Sequence, residues 1–314
     1  MKLQQLRCLT EVARRGLNVS EAAEALHTSQ PGVSKQIRAL EDELGVEVFV
    51  RHGKRLVAIT EPGKAVVAIA ERMLAEAQNM RRAGEEFAND QLGTLTISAT
   101  HTQARYALPK AVAAFKRQYP KVELRIQQGN PTQICEQVLT GEADMGVATE
   151  MISEYPDLVS LPVYQWNRCV VVPAKHPLLK ETPLTLEKLA EHPIVTYDFA
   201  FANRSLVQKA FEAKGLKPHV VLSAQDSDVI KTYVELGLGV GILAKMAFDA
   251  KRDVLLRAID ASHLFESSTT RLGIKRGAYL RRYAYDFIGM FAPHLPATTV
   301  EQAVKGQEGS RYEL

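Results

Sequence analysis

The stretch Val19 to Arg38, VSEAAEALHTSQPGVSKQIR, decides how the chain folds at its start. Ala22, Ala23 and Leu26 recur at helical spacing, and Val33, Ile37, Leu40 and Leu44 form a second stripe. Proline fits only the first turn of a helix, so Pro31 predicts that the second helix starts at Ser29 or Gln30. With 33, 37 and 40 turned to a core, Gln30, Pro31, Ser34, Lys35 and Arg38 face outward, with Thr28 and Ser29 in the turn before them. Amide, hydroxyl and cationic groups on a second helix suit a helix-turn-helix that reads a DNA major groove. Two amphipathic helices also occur in many α-proteins, so the flanking sequence has to decide.

Upstream, Leu3, Leu6, Leu9, Val12 and Ala13 mark an amphipathic helix ending near Gly16. Downstream, the period falls to two: Val46, Val48 and Val50 alternate, Arg51 to Arg55 make a turn, and Leu56 to Ile59 return. That predicts a hairpin with a cationic tip, its Arg51, Lys54 and Arg55 placed for phosphate or minor groove. Residues 1–59 therefore read as a winged helix-turn-helix, with the helix pair at 19–38. Thr60-Glu61-Pro62-Gly63 then starts a linker helix over 60–90. Val66, Ala70, Met73, Ala77, Met80, Gly84 and Phe87 alternate at spacings of four and three, the seam of a helix wound on a partner. Ile69 and Leu74 widen the stripe, which leaves packing on the chain's own domain as the alternative.

From about residue 91 to 296, strand and helix patterns alternate, which predicts an α/β domain of two lobes with mostly parallel sheets. Residues 297–314 are polar and read as a loose tail. Ligands of such sheets bind where strand ends meet helix starts. Thr100, Thr102 and Gln103 follow the first strand, Gly129 and Thr132 the second, and Thr149 follows the Ala143–Ala148 strand. Their hydroxyl, amide and backbone N–H groups would hold a small oxyanion. Trp166 either walls that cleft or fills core.

Apolar residues are 46% and charged residues 24% of 314, and the net charge is only +3, so any field that attracts nucleic acid must be local. No apolar run has membrane-spanning length and the N-terminus carries scattered charge, which predicts a cytoplasmic protein with no membrane partner. Cys8, Cys135 and Cys169 are widely spaced and odd in number, which fits reduced, mostly buried thiols rather than a disulfide or zinc framework. No HExxH, Gly-x-Ser-x-Gly or ordered dinucleotide fingerprint appears, so neither a metal site, a cofactor nor an enzyme is expected.

The whole chain resembles the LysR-type transcriptional regulators. MKLQQLR and TSQPGVSKQIRALEDELG carry the N-terminal likeness; THTQARYALP, QGNPTQI, ATE, WNR, DVIKTYVELGLGVGI and YDFIGMFAPHL point to the CysB-like branch, which includes Cbl. The resemblance implies an effector domain of two α/β lobes like the type 2 periplasmic binding proteins. It implies a homotetramer that binds double-stranded promoter DNA, with RNA polymerase a further partner. The genes implied serve cysteine biosynthesis and sulfur assimilation. The effectors implied are N-acetylserine, O-acetylserine, sulfate or thiosulfate, at Thr100, Thr102, Gln103 and Thr149. The branch's Phe-Gly-Phe-Thr-Gly-Arg-Ser loop stands here as Phe199-Ala200-Phe201-Ala202-Asn203-Arg204-Ser205, so its ligand-contacting threonine is Ala202. The Ala202 N–H or the Asn203 amide remains as donor. A regulator of another metabolite, or a plain anion-binding protein, is the alternative.

Overall fold

The structure, a computed structural model, describes residues 1–53, 55–88, 92–197 and 206–306. They fall into two units, Met1–Ala88 and Asn89–Leu314. In the first, helices α1 (Leu3–Arg14), α2 (Val19–Ala25) and α3 (Gln30–Leu44) precede the hairpin of β1 (Phe49–His52) and β2 (Arg55–Ile59). Leu6, Leu9, Val12, Ala22, Ala23, Val33, Ile37 and Leu40 fill one core with Phe49. Helix α3 begins as expected, capped by the Ser29 hydroxyl, which accepts the Gly32 N–H at 3.2 Å. Leu44, at the end of its predicted stripe, is exposed.

The turn between α2 and α3 is closed by paired backbone bonds, His27 N–H to Glu24 O at 3.0 Å and Thr28 N–H to Ala23 O at 2.9 Å. This pattern requires a left-handed residue at its centre, where glycine is preferred. His27 holds that place at φ 49°.

Strand β1 starts at Phe49, not at Val46. The Glu41 carboxylate, buried at the C-terminal end of α3, accepts the Val48 and Phe49 N–H groups at 2.8 and 3.2 Å and pairs with Arg51. A side chain thus takes the hydrogen bonds that a longer strand would need. The predicted cationic tip is corrected accordingly: Arg51 and Arg55 stand within the strands, and Lys54 lies outside the described residues.

Helix α4 (Glu61–Ala88) divides the predicted seam. A Cβ at Gly63 would fall 2.1 Å from the Val48 carbonyl, so glycine lets the helix start against the hairpin. Ala70 is buried in the unit's own core, and Val66 packs against it with Val67 and Leu74. Those two seam positions therefore face inward. Ala77 is half-buried, whereas Met73 is exposed, and Met80 (77%) and Phe87 (88%) are strongly so.

In the second unit, one sheet has the order β4 (Val122–Gln128), β3 (Gly93–Ala99), β5 (Met145–Ala148), β12 (Ser268–Lys275), β6 (Leu158–Trp166). The other runs β11 (Leu256–Asp260), β7 (Arg168–Pro173), β10 (Val240–Ala244), β8 (Ile194–Tyr197), β9 (Val220–Ala224). Helices α5 (Leu108–Gln118), α6 (Pro131–Thr140), α10 (Arg282–Phe291) and α11 (Ala297–Val304) cover the first sheet. Helices α7 (Leu186–Ala190), α8 (Leu206–Ala213) and α9 (Ser227–Glu235) cover the second. Burial on both faces explains the apolar strands: Val170 and Val172 face one core, Cys169 and Val171 the other.

The sheets are mixed rather than mostly parallel. β12 runs antiparallel to β5 and β6, and β7 antiparallel to β10 and β11, because the chain crosses between lobes at 166–168 and returns before Ser268. The predicted tail is corrected over 297–304, where Val300, Ala303 and Val304 of α11 join the first lobe's core. Their spacing of three and one is a helical stripe set among polar residues.

The lobes meet through Asp228 on α9. It accepts from Tyr106 OH (2.8 Å) and His101 Nε2 (3.1 Å) of the first lobe, pairs with the Arg105 guanidinium at 2.8 Å, and lies 3.2 Å from Lys231 Nζ. Lys231 in turn reaches Asp253 at 3.0 Å. Burial alone would raise the Asp228 carboxyl, but hydrogen bonds from His101, Tyr106 and Lys231 outweigh it and hold the group below the usual range. A depressed folded-state pKa stabilises above the unfolded value of about 3.9 and fades as pH falls through the lower folded value.

Two outcomes follow. His27→Gly removes the left-handed penalty and should raise stability by up to about 1 kcal/mol, read by urea unfolding of the full chain; a loss would show that the imidazole holds the turn. Asp228→Asn should destabilise by about 1–3 kcal/mol near neutral pH. Its difference from wild type should shrink as the pH drops below about 4, and a pH-independent difference in thermal melts would contradict the assignment.

Candidate nucleic-acid face and ligand cleft

On the first unit, the outward face of α3 carries exposed Gln30, Pro31, Lys35 and Arg38, with Ser34 half-buried beside them and Thr28 and Ser29 exposed just before. Neither Lys35 nor Arg38 has an ion-pair partner among the described residues, so both cations are available to phosphate or base edges. Arg55 is exposed on the wing, whereas Arg51 is committed to Glu41 and braces the hairpin. The expected phosphate anchor at 51 is therefore a bracing residue in this structure.

On the second unit, the parallel pairing of β3 with β5 places Thr100 and Thr149 at neighbouring strand ends, and the Thr100 N–H donates to Val147 O at 3.3 Å. Both threonines are half-buried, and neither hydroxyl bonds to a described residue. Thr102 is buried and faces the other lobe: its Oγ1 lies 3.3 Å from Ser227 Oγ. Ser227 also shares a 2.7 Å hydrogen bond with Tyr197 OH, which accepts the Ala244 N–H at 3.1 Å. These groups converge where β3, β5, β8 and β10 end and α9 begins.

Trp166 ends β6 opposite Ser268 of β12, and Thr269 donates its N–H to Glu150, the residue after Thr149, at 2.8 Å. The Trp166 indole N–H is buried with no hydrogen-bond partner among the described residues. A buried donor left unmatched costs free energy unless something accepts from it, which sets the indole apart from ordinary core filler.

Other expected cleft residues are placed differently. Gln103 is fully buried and its amide is engaged at both ends, donating to Thr270 Oγ1 at 3.0 Å and accepting from Tyr164 OH. These two bonds tie it to β12 and β6. Thr132 is half-buried in the first turn of α6. Gly129 packs on Gln133, whose Cβ would lie 3.2 Å from an added methyl group. Ala202 and Asn203 lie outside the described residues.

Beyond the loop of Ala202 and Asn203, the second lobe's contribution is absent from the sequence expectations. Ser227, Tyr197 and Asp228 carry the same signal that pointed to Thr100 and Thr149: a strand end followed by a helix start, here capped by Asp226. His101, Asp226 and Asp228 bring ligand atoms within 4.8 Å of one another. Asp228 is already matched by Arg105, Tyr106 and Lys231, and Asp226 Oδ1 accepts the Val229 N–H at 2.8 Å, so this group forms an ion-pair and capping network. Burial pushes the Cys135 thiol to about 11 and the Cys169 thiol to about 12, which keeps both protonated and poor nucleophiles. Burial also pushes the Cys8 thiol up.

Comparison with known proteins agrees with this layout. Residues 3–64 match the family described as bacterial regulatory helix-turn-helix protein, lysR family, and residues 88–296 match the LysR substrate binding domain. The chain is 54% identical to the HTH-type transcriptional regulator CysB of Burkholderia cenocepacia over 314 residues, all of both chains. It is 55% identical to SsuR of the same organism over 295 residues, 94% of this chain and 96% of that one. The crystal structure of the cofactor-binding domain of the Cbl transcriptional regulator superposes with a TM-score of 0.66 at 44% identity, covering 69% of this chain and 95% of that one. No helix among the described residues is long and apolar enough to cross a membrane. A helix-turn-helix with two unpaired cations on its outward face, a two-lobed α/β unit and these likenesses identify the chain as a member of the LysR family of helix-turn-helix transcriptional regulators, similar to CysB, SsuR and Cbl.

Proposed function

We propose that this LysR-type regulator works in the cytoplasm on genes of cysteine biosynthesis and sulfur assimilation, and that its effector is acetylserine or a sulfur oxyanion held between the lobes. The observation that carries the effector class is the convergence of unmatched donors. The Thr100 and Thr149 hydroxyls and the buried Trp166 indole N–H have no described acceptor, and a small oxyanion supplies several acceptors at once. Thr102 and Ser227 touch across the lobes, so a ligand that enters or spreads this contact has a direct lever on lobe closure. It moves the equilibrium only by its difference in affinity for the two arrangements, typically about 1–3 kcal/mol. The chain on this reading is a regulator that binds and releases its effector unchanged, without a cofactor.

DNA is read by the α3 face, with Thr28, Ser29, Gln30, Pro31, Ser34, Lys35 and Arg38 as the contacting set and Arg55 and Lys54 as wing anchors. Two-fold pairing through α4 presents two such faces, and a tetramer would present four. The exposed half of the α4 seam, Met73, Met80 and Phe87, is the natural contact, since a lone protein rarely leaves such side chains in water together. RNA polymerase is the partner through which bound promoter DNA would be used.

Fluorescence anisotropy with promoter DNA of a cysteine-biosynthesis operon tests the central reading. Affinity should fall steeply with salt, and Lys35→Ala with Arg38→Ala should weaken it at least about tenfold and lower the salt slope by about 2. N-acetylserine or thiosulfate should shift the wild-type curve. Salt-independent binding would reject the DNA face, and indifference to acetylserines, sulfate and thiosulfate alike would favour another metabolite, as Ala202 invites. Separately, Met80→Glu with Phe87→Glu should lower the sedimentation mass without unfolding the chain; an unchanged mass would move the dimer contact elsewhere.

A further inference from the structure

Arg168 opens β7 directly after the first crossing between the lobes, and only 9% of its surface is exposed. A guanidinium cannot shed its proton in a protein, so its burial takes a full positive charge out of water. Its hydrogen-bond partners are neutral. Nη1 donates to Glu266 O at 3.0 Å, Nη2 donates to Ser268 Oγ at 2.9 Å, and Cζ lies 5.0 Å from the centre of the Trp166 indole. Among the described residues no carboxylate forms an ion pair with it. Glu150 acts on it through space, while its own Oε1 accepts the Thr269 N–H.

Two contacts and the field of a nearby carboxylate place this charge behind the cleft. It stacks on the indole whose N–H is unmatched. Arg168 pairs in register with Ala244, whose N–H donates to Tyr197 OH, the partner of Ser227. Glu150, the carboxylate that acts on it, directly follows Thr149. Few stable proteins bury a cation among neutral partners without a use for its field, because a methionine of similar volume would avoid the desolvation cost.

We propose that Arg168 selects the charge of the effector, a buried cation behind the cleft that favours ligands in proportion to their negative charge. The inference rests on the effector cleft described above and names what that cleft discriminates. Arg168 also staples the two crossings together, and a purely structural staple would produce a different pattern. Coulomb energy at a fixed distance is linear in ligand charge, so the logarithmic loss for a dianion is twice that for a monoanion and vanishes for a zwitterion. Loss of a staple deforms the cleft for all ligands alike.

Isothermal titration of the full-length chain at about pH 6, where the ammonium of O-acetylserine stays protonated, separates the two. The probes are sulfate and thiosulfate as dianions, N-acetylserine as monoanion and O-acetylserine as zwitterion. Arg168→Gln keeps donors for Glu266 O and Ser268 Oγ but removes the charge. It should weaken the dianions about tenfold, N-acetylserine about threefold and O-acetylserine less than about twofold. Arg168→Lys should restore the charge order, and Glu150→Gln should tighten the dianions while leaving O-acetylserine nearly unchanged. Equal losses across the series overturn the assignment for Arg168 while the cleft stands. A folded wild-type chain that binds none of the four overturns the effector class, and the inference with it. If Arg168→Gln does not fold, Glu150→Gln decides: no gain for dianions over O-acetylserine overturns the proposal.

Discussion

The double crossing between the lobes is the constraint on which the cleft depends. The chain leaves the first sheet at Trp166, enters the second at Arg168, and returns to the first through Ser268. Because the return strand β12 must lie between β5 and β6, it brings Thr269 against Glu150 and sets Trp166 opposite Ser268. One chemical unit, Arg168 with Glu266 O and Ser268 Oγ, then ties the outgoing strand to the returning one. Thr149, Trp166 and Arg168 are neighbours for this topological reason, although the first and last lie 19 positions apart in the chain.

Two carboxylates do comparable work elsewhere. Glu41 accepts two backbone N–H groups and a guanidinium, and thereby fixes where the wing begins relative to α3. Asp228 accepts from Tyr106 and His101 and pairs with Arg105, and thereby ties the two lobes together. In both, a charge partly removed from water is repaid by several charge-assisted bonds, the condition under which such a group stabilises. Glu41 joins elements close in sequence. Asp228 joins elements more than 120 residues apart, so it alone can report a change in lobe position.

Much of the N-terminal unit was legible because its contacts are local. The Ser29 cap, Pro31 and the 33-37-40 stripe place α3 correctly, and the outward face of α3 follows by geometry. The hairpin was misplaced by three residues at Val46, since nothing in a period-two pattern reveals that Glu41 will take the Val48 N–H. The α4 stripe by itself allows either a partner or the chain's own domain. Gly63 brings the helix onto its own domain, which turns Val66 and Ala70 inward and leaves Met80 and Phe87 out. In the second unit, strand ends at Thr100 and Thr149 marked half of the cleft, whereas Gln103 is spent on Tyr164 and Thr270.

By itself, then, the sequence determined the helices, their caps, most strands and the kind of chemistry at the strand ends, since each depends on residues within a few positions. Only the tertiary structure decided that Ser227 and Tyr197 complete the cleft, that Asp228 clasps the lobes, and that Arg168 lies buried behind Trp166 without a described anionic partner. Those outcomes arise from which strands become neighbours. Pairing across 100 residues or more is set by the packing of whole sheets and by the two crossings of the chain, and leaves no periodic trace in the residues that take part.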